Sequence, residues 1–202
     1  MGLLRINHKS SKGFYPPPKF LLCIIDWQDF FVHPESPAFI SSAQEVGEKI
    51  KWLVEEFQKR DLPVIGTRHS NSETEINNFL RFYGRVISRR SKWFNLAEPL
   101  KQMRNLKIID KDTYSVFENH NFTDYLLSLK ISKVILVGVQ TDKCILASAL
   151  SGFDRGFEMM VLSDACLSRI KYRHSAALKL MKSSCAAVMK VNEFINLLDK
   201  EI

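Results

Sequence analysis

The chain is 202 residues long, 46% hydrophobic and 25% charged, with 8 glycines and 7 prolines. A chain of this size buries about 70% of its unfolded surface, which excludes a disordered segment, a collagen-like repeat and a mini-protein that needs staples. The net charge of +7 draws anions in general, but the basic residues are spread along the chain without a nucleic-acid motif, so no nucleic-acid partner is expected.

Apolar residues come in bursts too short to span a bilayer, and no membrane partner is expected. The N-terminal stretch has no sustained apolar core and no small-residue cleavage site, so no secretory leader is expected. Cys23, Cys144, Cys166 and Cys185 are widely spaced and share no short metal-binding spacing. That argues against a disulfide framework and for a reducing, cytoplasmic location.

Residues 1–18 read as a polar tail ending in Pro16-Pro17-Pro18, followed by one domain over 19–202. Residues 20–25 form an unbroken apolar run, as a strand buried on both faces requires. Ser42 and Glu45 have capping-box spacing, and Val46, Ile50, Leu53, Val54 and Phe57 then share one helical face. A short strand follows over 63–67, a helix over 73–82 and a weak strand over 107–110. A helix starting at Asn121 or Thr123 leads to the clearest strand, 133–138. Thr141 is read as the cap of the next helix, with Ile145, Leu146, Ala149, Leu150 and Phe153 inward. A strand over 157–162, a helix over 172–181, a strand over 186–190 and a last helix capped by Asn192 complete the pattern. Six strands alternating with helices predict a three-layer αβα domain around a parallel sheet, a Rossmann-like α/β architecture.

In such a sheet, ligands bind beyond the carboxyl ends of the strands, where strand order reverses. Asp26 follows the first strand, Lys111 the third, and Thr141 and Cys144 the fourth. Taken singly, a strand-end Asp reads as a loop cap and a lone Cys as a small hydrophobe. Cys144 stands out because a cap at Thr141 puts it third in its helix, where free N–H groups and the dipole favour a thiolate. Cys23, in mid-strand, reads as core, and Cys166 as a residue bordering the cleft.

Four segments, Ile25-Asp26-Trp27-Gln28, 111–117, 138–144 and Ser163-Asp164-Ala165, resemble in order and spacing the isochorismatase-like cysteine hydrolases. The resemblance runs over roughly residues 19–190. It implies that family's fold and its triad, with Asp26 as the proton acceptor, Lys111 as the cation beside it and Cys144 as the nucleophile. It further implies an oxyanion hole of the Gln140 and Cys144 backbone N–H groups, next to a cis Val139–Gln140 peptide. The implied activity is hydrolysis of a C–N bond in a small amide or carbamoyl substrate through a thioester, without a cofactor. The alternatives are an isochorismatase-type enol-ether hydrolase and a catalytically idle binding protein on the same fold.

Two departures from the family pattern matter. Phe30 stands where an acid is common after the first strand, and Thr67 precedes His69 where nicotinamidases carry a metal-binding Asp. A lone His reads as polar lining, so no metal is expected, and nicotinamidase is the less favoured activity. Trp27 and Phe31, and Tyr114 and Phe117, are expected to wall a small planar substrate. Arg81, Arg85, Arg89, Arg90 and Lys92 read as a solvated face rather than an anion site. Trp93-Phe94-Asn95-Leu96, in a non-periodic stretch, is expected at the interface of a homo-oligomer, a dimer or tetramer as the resemblance implies.

Overall fold

The computed structural model describes residues 19–103 and 106–202; the expectations of a polar tail over 1–18 and of no secretory leader lie outside them. Six strands, β1 (Lys19–Ile25), β2 (Val64–His69), β3 (Lys107–Lys111), β4 (Ile131–Val139), β5 (Glu158–Leu167) and β6 (Ala186–Met189), pair in parallel in the order β3-β2-β1-β4-β5-β6. Strand order reverses between β1 and β4, so the crevice expected for ligands opens beyond the ends of those two strands.

Alternation along the strands builds two cores. Phe20, Leu22 and Ile24 of β1 face one side, with Ile135 and Val137 of β4 and the apolar faces of α2 (Ala43–Lys59) and α7 (Val191–Glu201). Leu21, Cys23 and Ile25 face the other, with Val134 and Leu136, against α4 (His120–Ser128), α5 (Leu146–Asp154) and α6 (Lys171–Ser184). A strand covered on both faces has no polar side to show, which is why β1 and β4 read as continuous apolar runs. Two short helices, α1 (Asp29–Val32) and α3 (Asn78–Tyr83), lie in the connections beyond the ends of β1 and β2. Among the described residues no helix is long and apolar enough to cross a membrane.

Several expected helix starts differ from those observed. Ser42 is the residue before α2 but its side chain makes no capping bond. Asn119, rather than Asn121 or Thr123, caps α4, and Lys190, rather than Asn192, precedes α7. The helix expected over 73–82 begins only at Asn78. The Ser72 hydroxyl accepts the Thr74 and Glu75 N–H groups, and Asn77 donates back to Ser72 and Glu75 carbonyls, which holds the chain in turns instead.

Gly138 shows why β4 can bend toward the crevice. Its φ is +107°, and a Cβ there would run into the Ile25 backbone of β1. Only glycine permits both the dihedral and the approach. The β4–β5 register shifts at the same place, between Leu136 and Gly138.

Candidate active site

Asp26, the first residue past β1, is fully buried and has φ +48°, a left-handed conformation uncommon for a residue with a Cβ. Its backbone N–H donates to Thr67 Oγ1 at 2.9 Å, and that hydroxyl donates back to Asp26 Oδ1 at 2.6 Å. The other carboxylate oxygen, Oδ2, accepts from Lys111 Nζ at 2.7 Å. Lys111 also donates to the Thr113 carbonyl at 3.1 Å. Both partners of this ion pair are shut off from water, where a charge is tolerable only when paired and hydrogen-bonded. Burial works to lower Lys111, but the Asp26 carboxylate and then Cys144 outweigh it and hold the ammonium above its ordinary range.

Cys144 is brought to this pair by the turn after β4. Residues Thr141–Ile145 form one wide π turn, in which the Ile145 N–H donates to the Gln140 carbonyl at 3.2 Å. Gln140, not Thr141, is the cap residue, so Cys144 is fourth rather than third in the helical run. The Thr141 hydroxyl pairs instead with His174 Nδ1 at 2.9 Å. An extra residue in one turn rotates the helix that follows. Ser148, Ala149 and Gly152 are therefore buried, while Leu150 and Phe153, expected inward, are exposed.

The Cys144 thiol lies within hydrogen-bonding reach of both Asp26 and Lys111. Its state differs from the thiolate expected at a helix start. Burial pushes the thiol up to about 12; Lys111 opposes that rise and Asp26 adds to it. The raised pKa favours a neutral thiol, which lies beside the Asp26 carboxylate. Burial also raises Cys23, Cys166 and Cys185; the Asp26 and Lys111 charges act on Cys23 as well, in mid-strand, but on neither of the others.

Above these groups lies a cavity of about 300 Å³. Asp26, Gln140 and Cys144 line it, with Phe30, Phe31, His69, Phe79 and Tyr114 among its walls. Tyr114 packs against Phe79 at 4.7 Å and shares a 2.5 Å hydroxyl contact with Tyr83, which closes the wall on that side. The Val139–Gln140 peptide is cis.

Of the four aromatics expected around the substrate, Phe31 and Tyr114 line the cavity and two do not. Trp27 is turned into the core, its indole N–H donating to the Glu98 carbonyl at 2.8 Å. Phe117 is buried on the other face of the sheet between Phe122 and Phe157, packed so tightly on Gly152 that a Cβ there would strike its ring. In the segment 93–96, buried and solvent-facing residues alternate, with Trp93 half-buried and Asn95 exposed. Phe94 and Leu96 are buried, Phe94 under Arg68, and Leu96 bridges to Gln28. The buried Gln28 side chain ties that segment to β2, donating to the Phe94 carbonyl at 2.8 Å and accepting the His69 N–H at 2.8 Å. From the basic series read as a solvated face, Arg85 lines the cavity. Phe79, Lys143 and Arg169 also line it and carry no sequence signal of their own.

The residues at the end of β2 do not make a metal centre of the nicotinamidase kind. The Thr67 hydroxyl is engaged with Asp26, and His69 Nε2 pairs with Asn71 Oδ1 at 2.7 Å. Burial, then the nearby Lys111, lowers the His69 pKa, so its ring is neutral. Among the described residues no three His, Cys, Asp or Glu side chains gather as a metal would need.

Comparison with known proteins identifies the family. The family model described as the isochorismatase domain matches residues 20–193. The chain is 29% identical over 104 residues to the secreted isochorismatase effector Isc1 of Phytophthora sojae, a match covering 50% of this chain and 48%, about half, of that relative. It is 24% identical over 161 residues to nicotinamidase 3 of Arabidopsis thaliana, covering 78% of this chain and 77% of the relative. Among solved structures, a cysteine hydrolase from Pseudomonas syringae pv. phaseolicola superposes with a TM-score of 0.85 at 18% identity, covering 94% of this chain and 100% of that one. With most of its length matched by the domain and its sheet built in the same way, the chain belongs to the isochorismatase family of hydrolases.

Proposed function

We propose that the protein is a cysteine hydrolase that cleaves the C–N bond of a small amide or carbamoyl compound through a thioester on Cys144. One observation carries this reading: a thiol and a carboxylate, the latter paired with an ammonium, are buried together beside a cavity large enough for a small molecule.

Asp26 takes the thiol proton as the sulfur attacks the carbonyl, and Lys111 offsets the charge that moves from the carboxylate to the sulfur. The carbonyl oxygen, now an oxyanion, is received by the backbone N–H groups of Gln140 and Cys144. As the tetrahedral adduct collapses, Asp26 returns the proton to the nitrogen and ammonia or an amine leaves. Water then gives a proton to Asp26, its oxygen adds to the thioester carbonyl, and collapse releases the acid while the proton returns to the sulfur. A reducing compartment fits the four free, buried thiols.

The test is ammonia release from a panel of amides and carbamoyl compounds, paired with mass spectrometry of the quenched protein. The wild type should release ammonia and carry an acyl group on Cys144, and Cys144→Ala should do neither. Undiminished ammonia release in Cys144→Ala would remove the thioester, and no ammonia release from any amide by the wild type would leave enol-ether hydrolysis, which needs no thiol, as the family chemistry. A homo-oligomer with residues 93–96 at or near its interface belongs to the reading by family resemblance, and sedimentation at micromolar concentration tests it.

A further inference from the structure

The turn that carries Cys144 is an uncommon one. Its wide closure is the bond from the Ile145 N–H to the Gln140 carbonyl at 3.2 Å, and the Lys143 N–H reaches the same carbonyl at 3.1 Å. Such π turns are rare, and they survive mostly as single turns at functional sites. The residue before the turn gives no help, since the Gln140 side chain makes no capping bond.

Support comes from the chain after β5. The Asp142 N–H donates to Ser168 Oγ at 3.3 Å, and the Ser168 hydroxyl donates to Asp142 Oδ1 at 2.6 Å. Thr141 is fully buried, and among the described residues its hydroxyl has one hydrogen-bond partner, His174 Nδ1 at 2.9 Å. His174 stands in the first turn of α6, its own N–H donating to the Ile170 carbonyl at 3.1 Å, so the imidazole is offered from a regular element. Burial lowers the His174 pKa against the pull of Asp142, and the ring is neutral at pH 7. A neutral imidazole accepts or donates at Nδ1 according to its tautomer, and a hydroxyl serves either. Neither Thr141 nor His174 lines the cavity.

We infer that His174 is a positioning residue, which through Thr141 holds the turn that sets the Cys144 thiol against the Asp26–Lys111 pair; this rests on the proposed role of Cys144 as nucleophile. Thr141 opens the turn and Cys144 is its fourth residue, so a shift at the first is carried to the other. Each residue turns a helix by about 100°, so a turn that closed one residue earlier, as an α turn, would swing the thiol away from its partners. Misplacing a reacting group by about 1 Å can cost about 10²-fold in rate. Ser168 steadies the neighbouring Asp142 and does not replace the bond to Thr141, whose hydroxyl would be left buried without a partner.

Four variants test it. His174→Phe keeps a ring and removes the bond, and Thr141→Val removes it from the other end with little change of shape. His174→Asn puts an amide atom where Nδ1 stood, whereas His174→Gln carries its amide one carbon further out. Iodoacetamide labelling of the Cys144 peptide at pH 8 reads the setting of the thiol without any substrate. Its rate should change about threefold or more in His174→Phe, Thr141→Val and His174→Gln, and return to near the wild-type rate in His174→Asn. Ammonia release from the amide that the wild type cleaves best gives the second measurement. There kcat should fall about 10- to 10²-fold in the same three variants with KM within about threefold, and His174→Asn should recover most of the loss. Wild-type labelling in His174→Phe and Thr141→Val would overturn the inference, as would an unchanged kcat, a loss confined to KM, or an Asn variant no better than the Gln one. Should His174→Phe fail to fold, Thr141→Val and the Asn–Gln pair decide the same question. Ammonia release from no amide would sink the proposed hydrolysis, and labelling would still decide the role of His174; ammonia release with labelling and kcat unchanged in the variants would do the reverse.

Discussion

Lys111 Nζ stands 2.7 Å from Asp26 Oδ2 although the strand that carries Lys111 is two places away from the one that Asp26 follows. At the usual spacing of parallel strands that is roughly 9–10 Å of sheet to cross. The four-carbon stem of a lysine crosses it over the end of β2, where Thr67 supplies the other hydrogen bond to the carboxylate. The pair is therefore a clamp across three strands as well as a charge device. Lys111→Ala should lose about 3–5 kcal/mol of stability, because it leaves a buried carboxylate without its cation, and at least about 10²-fold in turnover. Replacing both partners, as Lys111→Met with Asp26→Leu, should recover much of the stability and none of the activity. Denaturant unfolding of the single and double variants decides it; a double variant no more stable than the single one would contradict the account.

Thr67 should matter through Asp26 alone. Its hydroxyl is fully buried and both accepts from and donates to Asp26. Thr67→Val keeps the shape and removes both bonds, which should cost about 1–3 kcal/mol. Turnover should fall through kcat, since the base is then free to turn away from the thiol, with KM nearly unchanged. Thr67→Ser, which keeps the hydroxyl, should restore most of the rate. A variant whose loss appears in KM instead would place Thr67 against the substrate.

Dialysis against a strong chelator should leave the rate as it was. The ground is the donor set: the imidazole at the end of β2 is tied to Asn71, and the nearby Thr67 serves the carboxylate. A purified protein with stoichiometric zinc or iron, inactive once stripped and active again on reconstitution, would contradict this.

What could be read from the amino acids and what could not divides along physical lines. β1 and β4 are legible because each is an unbroken apolar run, and the strand-end positions of Asp26, Lys111 and Cys144 follow from the alternation of strands and helices. Side-chain direction is not legible in the same way. Trp27 sits next to Asp26 in the chain, yet its ring turns into the core and its N–H finds Glu98, far along the sequence. Phe117 belongs to a buried aromatic cluster that only the packing of α4 and α5 creates. Arg85 and Arg169 line the cavity from loops, where no periodicity marks which side chains will reach it. Cys144 is misread in a further respect: its helix position favours a thiolate locally, but the tertiary fold removes the water a thiolate needs.

That last difference makes a prediction about pH. Burial raises the Cys144 thiol to about 12 from an ordinary value near 9. A raised pKa means that the neutral form persists further into the alkaline range. Alkylation requires the thiolate, so its rate follows the ionised fraction. Iodoacetamide labelling of Cys144 should therefore climb about tenfold per pH unit from pH 7 to pH 10 without levelling, whereas a free thiol begins to level near pH 9. In Lys111→Met the removal of the opposing cation should push the thiol higher still and slow labelling at every pH. Labelling must be followed on the Cys144 peptide, because Cys23, Cys166 and Cys185 are raised as well. A curve for Cys144 that levels below pH 9 would mean a resting thiolate paired with Lys111. The proton would then already have left the sulfur before substrate binds, and Asp26 would have no part in activating it.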